Sequence, residues 1–120
     1  MSQKRDLGNE GEELAANYLV SKGYRIIQRN WHCRFGELDI VAQVGETLVF
    51  CEVKTIYGES LDDAFANLTP AKVTKFLKAV HYYLAAKNLD DSSWRFDAIG
   101  IAIPQNAAAL IEHVEDALDW

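Results

Sequence analysis

Apolar and polar positions along this chain alternate between two periods. In residues 8–22, Gly11, Leu14, Ala15, Tyr18 and Leu19 share one face at helical spacing, and Gly23 supplies the stop. Residues 24–31 (YRIIQRNW) read as a first strand. ELDIVAQV (37–44) and TLVFCEVK (47–54), rich in β-branched and large apolar residues, read as two more strands joined by Gly45-Glu46. A glycine at the first central position is what a two-residue type II′ hairpin turn requires. With that turn, Val44 pairs with Thr47 and Asp39 lies directly opposite Glu52. One hairpin face carries Asp39, Val41, Gln43, Leu48, Phe50, Glu52 and Lys54, and the other carries Ile40, Ala42, Val49, Cys51 and Val53. Both faces are largely apolar, which predicts a sheet covered by helices on both sides.

Residues 55–68 read as a loop or short helix. Thr69-Pro70 starts a second helix, with Thr as N-cap and Pro in the first turn. Its apolar stripe is Val73, Phe76, Leu77, Val80 and Leu84, and it ends near Asn88. Residues 94–103 form a strand closed by Pro104, and LIEHV is read as a last strand. The order α-β-β-β-α-β-β predicts an α/β fold with a central mixed β-sheet flanked by helices.

At 120 residues the chain is read as a single domain, 1–120, long enough to bury about two-thirds of its unfolded surface. No apolar run approaches the ~18 residues of a membrane span, and MSQKRDLGNEGEE lacks the apolar core of a signal peptide. The expectation is a cytoplasmic protein with no membrane association. Cys33 and Cys51 lack CxxC-type spacing and read as free thiols. A His32/Cys33/Cys51/His81 zinc set gets little support from spacing.

The net charge of −6 opposes binding to a polyanion. Its distribution weakens that objection: residues 90–120 carry seven acids and one base, leaving residues 1–89 balanced.

Directly opposed like charges, about 5 Å apart at Cβ, destabilise a sheet. Asp39 facing Glu52, with Lys54 beside them, is a poor structural device but a good oxygen-donor pair for Mg²⁺ or Mn²⁺. A bound metal would stabilise charge on a phosphate oxygen and acidify a water, and Lys54 could orient that water. Two other readings stay open: an ion-pair lattice of Glu52 with Lys54 or Arg34, and a retaining-glycosidase carboxylate pair. Glu12 falls at the border of the apolar face of the first helix. Gly11 would let that helix approach the sheet closely, bringing Glu12 toward the carboxylates. The alternative is a solvated Glu near a helix N-terminus. Lys72, in the first turn of the second helix, is a phosphate-contact candidate or a solvated lysine; Lys75 and Lys78 read as surface. Arg95 and Asp97 read as a structural ion pair, and His81 and His113 have no partner at ligand spacing.

The run G-x-x-G-E-x-L-A (Gly8 to Ala15), Gly23-Tyr24, Asn30-Trp31, GELDIVA (36–42), LVFCEVKT (48–55), T-P-x-K (69–72) and RFD (95–97) resembles the YraN-like family of small bacterial proteins. That family is similar to the PD-(D/E)xK nuclease superfamily, which includes Holliday-junction resolvases. The resemblance implies a restriction-endonuclease-like core and a nuclease that hydrolyses nucleic acid, DNA with branched structure in particular. It implies Asp39 and Glu52 as metal ligands, Lys54 as the catalytic lysine, Glu12 as the helix carboxylate of the site and Lys72 as a supporting basic residue. Resolvase-like action would need two active sites, hence a homodimer. The rival expectation is a nucleic-acid-processing adaptor that keeps the fold without turnover.

Overall fold

The computed structural model describes residues 3–66 and 68–119, with side chains from Glu10 to Leu118. Its elements are α1 (Gln3–Ser21), β1 (Arg25–Cys33), β2 (Gly36–Val44), β3 (Thr47–Ile56), α2 (Pro70–Ala86), β4 (Ser93–Ala102), β5 (Leu110–Val114) and a short 3-10 turn at Ala117–Asp119. The order matches the predicted α-β-β-β-α-β-β. The helix α1 begins several residues before its apolar periodicity does, and residues 57–66 form bends and turns rather than a helix.

Local chemistry explains the boundaries. After α1, Gly23 adopts φ +93°, and the Tyr24 and Gly23 N–H groups bond back to the Leu19 and Val20 carbonyls. This is a Schellman cap, which favours a residue without Cβ. At the start of α2, Thr69 accepts from the Lys72 N–H at 3.3 Å, with Pro70 just inside the helix. Asn88, at φ +58°, closes α2 by the same six-to-one pattern, Leu89 N–H to the Leu84 carbonyl. Between β2 and β3, Gly45 has φ +57° while Glu46 stays at negative φ, the signature expected of a type II′ turn.

The five strands lie in the order β1-β2-β3-β4-β5. All neighbours are antiparallel except β3 and β4, which run parallel with α2 in the connection. The sheet is therefore mixed, and a helix covers each face. On one side Ala15, Ala16 and Leu19 of α1 bury Ile40, Ala42, Val49, Cys51, Ile99 and Ile101. On the other, Phe76, Ala79, Val80, Tyr83 and Leu84 of α2 bury Val41, Leu48, Phe50 and Phe96. Each fully buried large side chain of these layers contributes about 1.5–3 kcal/mol. This is an α/β architecture consistent with a restriction-endonuclease-like core. No helix among the described residues is long and apolar enough to cross a membrane.

Two features bring acidic side chains together at one end of the sheet. A Cβ added at Gly11 would lie 1.7 Å from Thr55 Oγ1, so α1 rests on β3 at a distance only glycine allows. Strands β2 and β3 also do not stay paired. Their ladder runs from Val44–Thr47 to Ile40–Cys51 and ends there, while each continues along its other neighbour.

Candidate metal centre

The fork between β2 and β3 opens at Asp39. The predicted register holds up to Ile40–Cys51, but the expected Asp39–Glu52 pair across a flat ladder does not form. Asp39 Oδ2 accepts a hydrogen bond from the Val53 N–H at 2.9 Å, so a side chain takes the place of a backbone acceptor. A local irregularity in β1 accompanies the break. Trp31 pairs with Leu38 and Arg29 with Ile40, while Asn30, between them, is left-handed at φ +52°. Leu38 packs with Val41 on the α2 side, and Ile40 packs with Ala42 on the α1 side. Strict alternation is thus lost at Asp39, whose carboxylate is turned out of the ladder toward α1.

There it meets Glu12, held close by the Gly11–Thr55 contact, and Glu37, two residues back on β2. Glu12, Glu37 and Asp39 each bring one carboxylate oxygen within 4.8 Å of the other two. Little compensates this negative charge. Glu12 Oε1 is buried with no hydrogen-bond partner. Burial pushes the Glu12 carboxyl above its ordinary range, Glu37 adds repulsion, and Asn30 and Arg29 oppose the shift. Asp39 is pushed up to about 7, chiefly by burial; the Val53 N–H opposes this, and Glu52, Glu12 and Glu37 add to it. Three clustered carboxylates with an orphaned oxygen form an all-oxygen donor set of the kind hard divalent cations take.

The other predicted residues border this cluster. Glu52 sits close enough to repel Asp39 and pairs with Lys54 at 3.2 Å, as the ion-pair reading anticipated. Glu52, Glu37 and Lys72 line one cavity of about 230 Å³ with Phe35, Gly36, Lys75 and Phe76. Lys75 is exposed, as its helical position suggested, and also reaches the edge of this cavity. Glu37 was missed, although period 2 back from Asp39 is a signal that could have found it. The zinc set does not assemble. Cys51 is buried on the α1 side and Cys33 packs on the α2 side, both as free thiols.

A second polar cluster is centred on Asp97, midway along β4. Asp97 is fully buried and accepts from Arg95 Nε and Nη2 at 3.0 and 3.1 Å, and from the Asp116 N–H at 3.0 Å. The predicted Arg95–Asp97 ion pair is present. The expectation that His113 has no partner is corrected: its Nε2 lies 2.7 Å from Asp97 Oδ2 and its Nδ1 lies 3.1 Å from the Tyr18 hydroxyl. The β4–β5 register creates that contact by placing His113 across from Ile99. Asp97, His113 and Glu115 also have converging ligand atoms, but every Asp97 oxygen is already engaged and a guanidinium lies against the carboxylate, which disfavours a cation there.

Comparison with known proteins gives a consistent result. Residues 11–101 match the model of the uncharacterised protein family UPF0102. A UPF0102 protein of Geotalea uraniireducens is 40% identical over 98% of this chain and 93% of its own length. One from Geobacter sulfurreducens is 45% identical over 94% and 88%, respectively. A third, from Streptomyces griseus, is 37% identical over 94% and 96%.

Proposed function

Because the chain belongs to the UPF0102 family, whose description assigns no activity, the reading must come from the chemistry of the site: we propose that the protein is a metal-dependent nuclease hydrolysing phosphodiester bonds in nucleic acid, with branched DNA as the substrate class. The observation that carries this is the orphaned, buried Glu12 oxygen converging with the Glu37 and Asp39 carboxylates. A fold gains nothing from crowding uncompensated acids unless a cation joins them.

Glu12, Asp39 and Glu52 are the ligands proposed for Mg²⁺ or Mn²⁺, and Glu37 extends that set. The cation would supply charge stabilisation at the phosphate and acidify the attacking water. The Val53 N–H orients the Asp39 carboxylate where one of its oxygens converges with those of Glu12 and Glu37. Lys54, half-buried and paired with Glu52, would offer its hydrogen bonds to a water or a phosphate oxygen. Lys72 at the cavity wall is placed to hold an adjacent phosphate. Cutting both strands of a four-way junction requires two such sites, hence a homodimer on that substrate.

The test is a calorimetric titration with Mg²⁺ and Mn²⁺, wild type against Asp39→Asn, followed by Mn²⁺-supplemented cleavage assays on duplex, single-strand, flap and four-way DNA with Lys54→Ala as control. Metal binding lost in Asp39→Asn and cleavage lost in Lys54→Ala support the reading. Absence of both in the wild type leaves the non-catalytic adaptor, and cleavage that survives Lys54→Ala refutes the assignment.

A further inference from the structure

Beside the acidic cavity lies an aromatic surface with no role in metal binding. Phe35, at the β1–β2 turn, lines that cavity together with Lys75 and also meets Tyr82 edge-on at 5.8 Å. Tyr82 is 43% exposed and tilts against Trp31 at 6.0 Å. The Arg34 guanidinium lies 4.8 Å from the centre of the Phe35 ring. Three rings from two sides of the sheet–helix junction thus form a continuous platform that starts at the cavity wall and ends in solvent.

The cations around it follow the same line. Lys75, Lys78 and Tyr82 are spaced i, i+3 and i+7 on α2, one exposed stripe about 10 Å long. Arg34, Lys72, Lys75 and Lys78 make no ion pair among the described residues. A core needs neither an exposed tyrosine set against two other rings nor four cations without an ion pair beside it. A strand of unpaired nucleotides uses both: bases stack on aromatic faces or guanidinium planes, and the phosphates run along the lysines. A duplex keeps its bases stacked on one another and cannot use the rings.

We infer that Phe35, Tyr82 and Trp31, with Arg34, Lys75 and Lys78, form a stacking platform for unpaired nucleotides, leading single-stranded nucleic acid to the acidic cavity. This rests on the nuclease reading for its purpose but not for its measurement, because binding is scored without metal.

Fluorescence anisotropy in EDTA, with a labelled 12-nucleotide deoxythymidine strand and a blunt duplex of equal length, tests it. The wild type should bind the single strand more tightly than the duplex. Tyr82→Ala should weaken single-strand binding about 5- to 100-fold and leave duplex binding within about 2-fold. Tyr82→Phe should restore wild-type affinity, because the ring and not the hydroxyl is used. Lys75→Ala should lower the slope of log affinity against log salt by about 0.7. Failure of the wild type to prefer the single strand, equal loss of both ligands in Tyr82→Ala, or competition by polyglutamate as effective as by the oligonucleotide would each overturn the inference. If no nucleic acid is cleaved but the Tyr82 pattern holds, the nuclease reading fails and the platform stands. If nucleic acid is cleaved but Tyr82→Ala binds the single strand as well as the wild type does, the platform fails and the nuclease reading stands.

Discussion

Two carboxylates removed from water, Asp39 at the strand fork and Asp97 on β4, have been treated in opposite ways by the surrounding chain. Asp97 is fully buried, and burial works against its charge; hydrogen bonds from His113, from Arg95 and from the Asp116 N–H outweigh that, holding the carboxyl below its ordinary range. Asp39 receives one backbone N–H and three acidic neighbours, and is pushed up to about 7 by burial first and by those neighbours next. Burial alone therefore says little about what an acid does. The partners decide: a fully satisfied carboxylate keeps its charge at little cost, and one surrounded by its own kind is driven toward the protonated form.

This contrast can be broken by substitution, with opposite signs expected at the two sites. Asp97→Ala strands a guanidinium and a histidine against a buried void and should destabilise the fold by about 3–5 kcal/mol, measured by urea unfolding. Asp39→Asn keeps an acceptor for the Val53 N–H and removes a repelled charge. In metal-free protein at pH 8 it should stabilise by about 1–3 kcal/mol, while abolishing the heat of Mn²⁺ binding. If Asp39→Asn destabilised the metal-free protein, the uncompensated charge assigned to the fork would be wrong.

The pH dependence sharpens the same point. Asp39 in the fold holds its proton to about pH 7, whereas an unfolded Asp releases it near 3.9. Between those values the native state binds more protons, so metal-free stability falls as pH rises from about 4 to about 7 and then levels off. Asp97 acts in reverse: its contribution is present above about pH 4 and is lost as pH falls through its lowered folded value. Melting temperature against pH in EDTA should show the first decline in the wild type and a flattened one in Asp39→Asn. Metal binding should release protons below pH 7, visible as buffer-dependent heats. The smallest effect expected is for Glu12→Gln, which relieves a weaker repulsion. It should stabilise the metal-free fold by about 0.5–1 kcal/mol and weaken metal binding rather than abolish it.

Much of this architecture could be read from the residues. The Gly45 turn set the β2–β3 register through Ile40–Cys51, Thr69-Pro70 marked the start of α2, and Gly11 pointed to the close seat of α1. These are local signals, each contained in a few consecutive residues. The fork was not legible because it depends on two irregularities in different strands, the left-handed Asn30 and the outward Asp39, that cancel across the β1–β2 ladder. Period-2 alternation, applied without interruption, put Asp39 opposite Glu52. The His113–Asp97 contact was hidden for a related reason: it depends on how β5 returns to β4 after residues 103–109, which no short motif encodes.

With a hydrogen where any other residue would carry carbon, Gly11 acts as a spacer of zero thickness between helix and strand. The adjacent Glu12 rides on that spacer, so the gap its carboxylate spans toward Asp39 is set by an atom that is not there. A methyl group at position 11, itself uncharged, would lift the helix off the strand and part Glu12 from Glu37 and Asp39 without altering any of the three carboxylates.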